Sequence, residues 1–562
     1  MNRGSLTILA LVAACQGGSA PNPARTSAAI TPADIRTRIY IVADDSMQGR
    51  QAGTPGNFKM TSYLERELSR LGLEPGGENG TFFQEVRIVR RTVDSSRTSL
   101  SVKGSALRLF TDFASLRPNT TERYGASLPS GTYPTVYGAR AGDSLSSLPA
   151  SAVTGRIVVL DAPLGENGQP SGVWGTAGAI SVSRFPTAAG IAIASLDLAT
   201  DAAKAGLASA STTLGERPGA PARPFAFVMT ANAAATVMGR PLAQLRPGDT
   251  GIEVTASASF TDRPVAVPAR NVIAIVRGSD PVLRNEYVAL GAHSDHVGFA
   301  PRAQEHDSLR AYHRIMRPQG AQRRGTQPGP PTPADLARIS AIIDSMRRIR
   351  PARMDSIYNG ADDDASGSVA LLEIAESLVG ARRPRRSILF IWHTAEESGL
   401  LGSAWFTQNP TVPLSAIVAQ LNMDLVGRGR AEDIQGGGPR YLQIIGSRRL
   451  STDLGDVLDS INAQRAEPMT VDYSWDAPGH VMARYCRSDH FMYARRGIPI
   501  AFMSRGYHPD YHVVTDEAEY IDFDGLSRVA GLARDAAVAI ANRNERPRVD
   551  KPLLNPLLPC RH

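Results

Sequence analysis

The stretch SVALLEIAESLVGARRPRRSILFIWHTAEESG, residues 368–399, decides the fold class, because it changes periodicity part-way along. SVALLEIAESLVG reads as an apolar helix, and ARRPRR is a basic turn broken by proline. SILFIWHT then runs apolar without alternation and stops on two adjacent glutamates, Glu396 and Glu397. A strand apolar at every position is covered on both faces, as in a parallel sheet sandwiched by helices.

The same texture extends outward. NVIAIVRG, EYVALGAH, AIVAQLNMD, YLQIIGS and IPIAFMS are short β-rich runs bounded by turn residues, and DGLSRVAGLARDAAVAIAN reads as a helix. Strands alternating with helices give an α/β fold with a mixed, mostly parallel sheet. Upstream, TPADIRTRIYIVADD and PGNFKMTSYLERELSRLGL are amphipathic helices with a Thr and Pro opening and a Gly stop. Between residues 108 and 262 Gly, Ala, Ser, Thr and Pro become frequent and strands such as GRIVVLDAP are short. This segment reads as a smaller β-rich unit inserted into the first, which leaves 31–107 and 263–545 as the larger domain and 546–562 as a tail. Residues 301–356 are polar and Pro-rich, and predict an exposed loop or a partly disordered flap.

The chain has 562 residues, of which 42% are hydrophobic and 20% charged, enough for more than one core. A net charge of +7 raises the question of nucleic acid, but the Arg runs RRPRR and MRRIRPARM are short and carry few aromatics. They read as solvated surface, with no nucleic-acid partner. MNRGSLTILALVAAC opens with a basic residue, an apolar run too short to span a bilayer and small residues before Cys15. Residues 1–14 are therefore expected to be a signal peptide. VAAC resembles a lipobox, so Cys15 is the expected lipid anchor and residues 15–30 a flexible tether. The protein is expected to be exported, to the bacterial periplasm, the outer membrane or the exterior, and to meet a membrane only through that anchor. Cys486 and Cys560 are the remaining cysteines and a candidate disulfide.

Chemistry gathers at strand ends. His293 closes YVALGAH, Glu396 and Glu397 follow ILFIWHT, Asp424 closes VAQLNMD and His512 follows IPIAFMS. The stretch YNGADDDASGSVALLE, residues 358–373, places three aspartates ahead of an apolar helix. In open α/β sheets the ligand crevice lies beyond the carboxyl ends of the strands. Alone, DDD is an ordinary helix cap and EE ordinary solvated charge. Together on one sheet edge these carboxylates would repel one another, and a bound metal is the favoured compensation.

Five motifs in order, GAHSDH, GADDDASGSVALLE, HTAEESGLLGS, LNMDLVGR and DYHVVTDEAEY, resemble the co-catalytic zinc aminopeptidase and glutamate carboxypeptidase family. The Gly- and Ala-rich insert is similar to the protease-associated domain that many members carry. The resemblance implies two Zn2+ per chain, one held by His293, Asp424 and a bridging Asp363, the other by Glu397, His512 and the same Asp363. Two zinc ions offset three ligand carboxylates and one bridging hydroxide. The resemblance makes Glu396 the general base, Asp295 the residue orienting the His293 ring through its other nitrogen, and Tyr511 a donor to the oxyanion. Asp362 and Asp364 are read as structural, His296, His490 and His508 as pocket lining or structure, and Asp516 as a further supporting contact. The implied activity is removal of N-terminal residues from peptides. A carboxypeptidase of the same family, a binding scaffold and a single-zinc aminoacyl cyclase are the alternatives.

Overall fold

The computed structural model describes residues 26–117, 125, 127–143, 148–165, 168–215, 223–322 and 328–554. The expected signal peptide, Cys15 and Cys560 lie outside the described residues. Cys486 is disulfide-bonded.

Two helices open the described chain: α1 (Pro32–Val42) and α2 (Pro55–Leu71). Thr31 caps α1 by accepting from the Asp34 amide, and Pro32 fills the first turn, where no N–H is needed. Helix α2 stops at Gly72, whose φ of 70° only glycine adopts cheaply.

The six apolar runs are all strands: β1 (Ala269–Val276), β2 (Tyr287–His293), β3 (Ser387–His393), β4 (Ile417–Met423), β5 (Tyr441–Ile445) and β6 (Ile500–Ser504). They share one nine-stranded sheet in the order β1-β3-β2-β4-β6-β5, with short strands at its edges. Strands β3, β2, β4 and β6 run parallel to their neighbours at the centre, while β1 and β5 join antiparallel. The sheet is mixed, with a parallel centre.

Side chains alternate across this sheet into two cores. Val272, Ala274, Val288, Leu290, Phe390 and Trp392 face the side covered by α1, α2, the helix Ala365–Val379 and the helix Phe523–Asn542. Ile273, Ile275, Ala289, Leu389, Ile391 and Phe502 face the other, under Phe406 and Tyr493. Burial on both faces explains why these strands carry no polar alternation.

The segment between residues 99 and 258 builds sheets of its own. Phe113–Ser115, Phe225–Met229, Gly190–Ala194, Ile157–Asp161 and Thr135–Arg140 form a five-stranded sheet. A four-stranded sheet joins Ser99–Val102 to Val254–Ala258. The apolar clusters around these strands are drawn from residues of this segment, with Phe260 at the margin.

The Pro-rich insert departs from expectation. Instead of an exposed loop it holds a strand, Phe299–Glu305, then α3 (His306–Met316) and α4 (Pro333–Arg347), then Met354–Ile357 pairing back on the first strand. Ala311, Met316 and Ile339 form a small core between the two helices. Thr332 and Asp335 make a capping box and Pro333 occupies the first turn of α4, so the proline opens a helix here. The Ala321 amide donates to the Tyr511 carbonyl, which ties the insert to the site edge. Among the described residues no helix is long and apolar enough to cross a membrane.

Candidate metal centre

Because β2, β3, β4 and β6 are parallel, their carboxyl ends open on one edge, and each delivers a residue there. His293 is the last residue of β2, and Asp424 directly follows β4. Glu396 and Glu397 lie in the turn after β3, and His512 in the loop after β6. Asp363 enters beside α5 (Ala365–Val379), whose cap is Asp364.

The three aspartates have separate tasks. Asp364 accepts from the Gly367 amide at 2.9 Å, capping α5, and from the His293 amide at 3.0 Å, locking the helix start to the end of β2. Asp362 turns inward, with Oδ2 3.1 Å from His508 Nε2. Asp363 alone faces the edge. Its Oδ1 lies 3.2 Å from His293 Nε2, while its Oδ2 lies 2.9 Å from His512 Nε2 and 3.9 Å from His296 Nδ1. One carboxylate thus addresses two donor sets with different oxygens.

Those sets are distinct. His296, Asp363, Glu397 and His512 bring ligand atoms within 4.8 Å of one another, as do His293, Glu396 and Asp424. Glu397 Oε2 is 3.0 Å from His512 Nε2 and Oε1 is 2.7 Å from His296 Nδ1. His293 Nε2 is 3.8 Å from Asp424 Oδ1. The five residues read from the sequence as ligands are thus brought together, with Glu396 beside His293 and Asp424. His296 is the addition: it lies behind Glu397 within one donor set, a place that spacing from His293 alone does not specify.

Asp295 is at the site, but its contact differs from expectation. His293 Nδ1 meets the Asp295 backbone carbonyl at 3.1 Å, whereas the carboxylate is 3.8 Å away and accepts from the Glu396 amide at 3.0 Å. A carbonyl fixes the imidazole tautomer as a carboxylate would, which frees the side chain to hold the turn bearing Glu396. Tyr511 stacks on the His512 ring, with centroids 4.0 Å apart, and lines the cavity. His490 is buried at β6, stacked on Phe502 and bonded to the Tyr485 carbonyl, and so is structural. Asp516 accepts from the amides of Asp362 and Asp363 at 3.0 and 3.1 Å, holding the backbone that carries the bridge.

Backbone strain is present at the same edge. Ala395, Leu425 and His512 have φ of 57°, 59° and 54°, left-handed values that cost non-glycine residues free energy. His512 is a proposed ligand, Leu425 follows the proposed ligand Asp424, and Ala395 precedes the proposed base Glu396.

The charge arrangement suits divalent cations. Burial opposes charge on His293 and His512, yet neighbouring carboxylates outweigh it and hold both imidazoles well above their ordinary range. Burial pushes the Glu397 carboxyl up, but His512 and His296 bring it down to about 2. Against burial, Asp363 is likewise held low by His293, His512 and His296. Protons on imidazole thus occupy the place between nitrogen and carboxylate that a cation would take, and cation binding would release them. His293 Nε2 is buried with no hydrogen-bond partner among the described residues, and mixed imidazole and carboxylate donors of this kind suit zinc. Glu396 differs. Burial, reinforced by Glu397, Asp424 and Asp489, raises its carboxyl well above the usual range despite His293.

Above the cluster lies a cavity of about 280 Å³, floored by Asp363, Glu396, Glu397, Asp424 and His512. Its walls include Leu400, Leu425, Phe502 and Tyr511.

Residues 271–537 match the model of Peptidase family M28. Over this region the chain is similar to that family. The chain is similar to the probable leucine aminopeptidase 1 of Trichophyton verrucosum, 26% identical over 210 residues, covering 35% of this chain and 52% of that protein. It is also similar to leucine aminopeptidase 1 of Trichophyton rubrum, 27% identical over 206 residues, covering 34% and 51%. The chain spans about half the length of the curated relatives it matches. Among solved structures, the aminopeptidase from Aneurinibacillus sp. strain AM-1 aligns over 93% of this chain and 98% of its own, with 17% identity and a TM-score of 0.45.

Proposed function

We propose that this chain is a two-zinc aminopeptidase that removes N-terminal residues from peptides. The observation that carries the reading is Asp363, whose two oxygens face two separate histidine-containing donor sets at the floor of one cavity. Asp363, Asp424 and His293 would hold one ion, and Asp363, Glu397 and His512 the other, with His296 beside the second. When bound, paired zinc ions lower the pKa of water towards about 7 and polarise the scissile carbonyl.

The chain's own residues do the rest. Glu396, at the cavity floor next to Glu397, is suited by position to take the proton of the attacking water and return it to the leaving amine. The Asp295 carboxylate fixes the turn that aims Glu396. Tyr511, held against His512, presents a hydroxyl to the oxygen that gains charge in the transition state. The leucine aminopeptidases among the relatives support the aminopeptidase reading, and the apolar walls Leu400, Leu425 and Phe502 are compatible with an aliphatic side chain.

The N-terminal sequence supports export with lipid attachment at Cys15, and the composition of residues 108–262 supports a protease-associated insert. Mass spectrometry of the mature N-terminus tests the first. The central test is hydrolysis of N-terminal amino-acid amides by zinc-loaded protein. Glu396→Gln should keep its zinc while turnover falls at least about a hundredfold. Turnover near wild type would remove Glu396 from the base role.

A further inference from the structure

The cavity wall opposite the carboxylates holds two arginines, Arg484 and Arg487. Arg484 is 1% exposed and sits in the short turn Arg484–Cys486. Its one hydrogen bond among those described runs from Nη2 to Ser504 Oγ at 2.7 Å, a neutral acceptor at the end of β6. Arg484 Nε and Nη1, and Arg487 Nη1, are buried without a hydrogen-bond partner among the described residues. Both guanidinium groups pack on the Tyr507 ring, at 4.3 and 5.4 Å from its centroid, which fixes their planes without using their donors.

The other buried arginines of the catalytic region have their guanidinium groups engaged by several acceptors: Arg50, without an ion pair, donates to the carbonyls of Val42, Asn359 and Gly360, and others pair with carboxylates. Arg428 pairs with Asp433 and Asp510, Arg505 with Asp522, and Arg38 with Glu373 and Glu376. Buried guanidinium groups are normally paired, because an uncompensated charge with orphaned donors is costly. Arg484 and Arg487 form no ion pair among the described residues, although they share a cavity with four carboxylates. Three of those carboxylates are committed to the ligand sets and the fourth is the proposed base.

We propose that Arg484 and Arg487 form a carboxylate-binding subsite, so that the cavity selects substrates bearing a free carboxylate near the scissile bond. This deepens the aminopeptidase reading and rests on it. Arginine donors arranged in a plane match a carboxylate in paired hydrogen bonds, a geometry that lysine does not reproduce. The carboxylate has two sources: an acidic side chain on the N-terminal residue, or the C-terminus of a dipeptide. A cavity of about 280 Å³ is at the small end of ligand sites, which favours short substrates in either case.

The test uses zinc-loaded full chain and two matched pairs. Glutamic acid α-amide against glutamine amide reads the side-chain source, and leucylglycine against leucylglycinamide reads the terminal source. We expect kcat/KM for the charged member to exceed its neutral partner at least about tenfold in one pair, mainly through KM. Arg484→Gln and Arg487→Gln should bring that ratio towards one, and Arg487→Lys should restore part of it. Ratios near one in both pairs, with leucinamide turned over, would overturn the subsite and leave the aminopeptidase reading intact. If none of the amides is hydrolysed, the aminopeptidase reading fails. Calorimetric binding of the same four compounds then decides the subsite: tighter binding of a charged member supports it, and equal binding within each pair overturns it.

Discussion

Asp516 offers a perturbation that reaches the candidate metal centre through the backbone amide of Asp363 while leaving every proposed ligand side chain in place. Its carboxylate accepts from the buried amides of Asp362 and Asp363, and burial, with Asp362 adding and His508 opposing, raises its own carboxyl to about 7. In Asp516→Ala two buried N–H groups lose their acceptor, at about 1–3 kcal/mol each. Removing a poorly solvated carboxylate returns part of that, so a net loss of about 2–3 kcal/mol is expected. For a domain of this size that lowers Tm by roughly 5 °C. The larger effect falls on the bridge: supporting contacts of metal ligands are worth roughly tenfold to a hundredfold in affinity. Asp516→Asn keeps one acceptor oxygen and should fall between the variant and wild type. The assay is zinc titration against a competing chelator, with thermal unfolding in parallel. If Asp516→Ala bound zinc within about twofold of wild type, the claim that this residue positions Asp363 would be refuted.

Three further outcomes are expected. A Cβ on Gly367 would lie 2.3 Å from the Met423 carbonyl and 2.5 Å from Asp364 Oδ1, so Gly367→Ala must shift the helix cap or the end of β4; we expect about 1–3 kcal/mol lost in urea unfolding together with weaker zinc binding. Burial pushes the Glu373 carboxyl up to about 7 despite Arg38, from an ordinary value of 4.5. The folded state therefore holds the proton in the window where the unfolded chain has released it, and stability falls as pH rises from about 4.5 to about 7. Glu373→Gln should flatten that slope, and identical slopes in urea unfolding at pH 5 and pH 7 would contradict the assignment. Chelation should abolish hydrolysis and lower Tm, since free zinc at a hundredfold over its Kd stabilises by about 2.7 kcal/mol.

Much of the catalytic sheet could be read from residue order because its strands are buried on both faces. ILFIWH and VALGAH cannot be amphipathic surface strands, and parallel pairing sends their carboxyl ends to one edge. Four of the proposed ligands were legible for the same reason, as each follows such a strand, whereas Asp363 was legible from the Asp run ahead of α5. His296 was not, because whether it turns towards Glu397 depends on the turn after His293, which leaves no periodic signal. The helices α3 and α4 were hidden by Pro-rich composition, although Thr332, Pro333 and Asp335 were a readable cap. The unpaired state of Arg484 and Arg487 is a property of tertiary surroundings. The sequence shows many arginines and cannot say which of them lack a carboxylate.

The most direct test of the account is X-ray diffraction from zinc-loaded crystals at and below the zinc absorption edge. The account predicts two anomalous peaks, one beside Asp363 Oδ1 with His293 and Asp424, the other beside Oδ2 with Glu397 and His512. A single peak, or none at Asp363 in folded protein saturated with zinc, would contradict it.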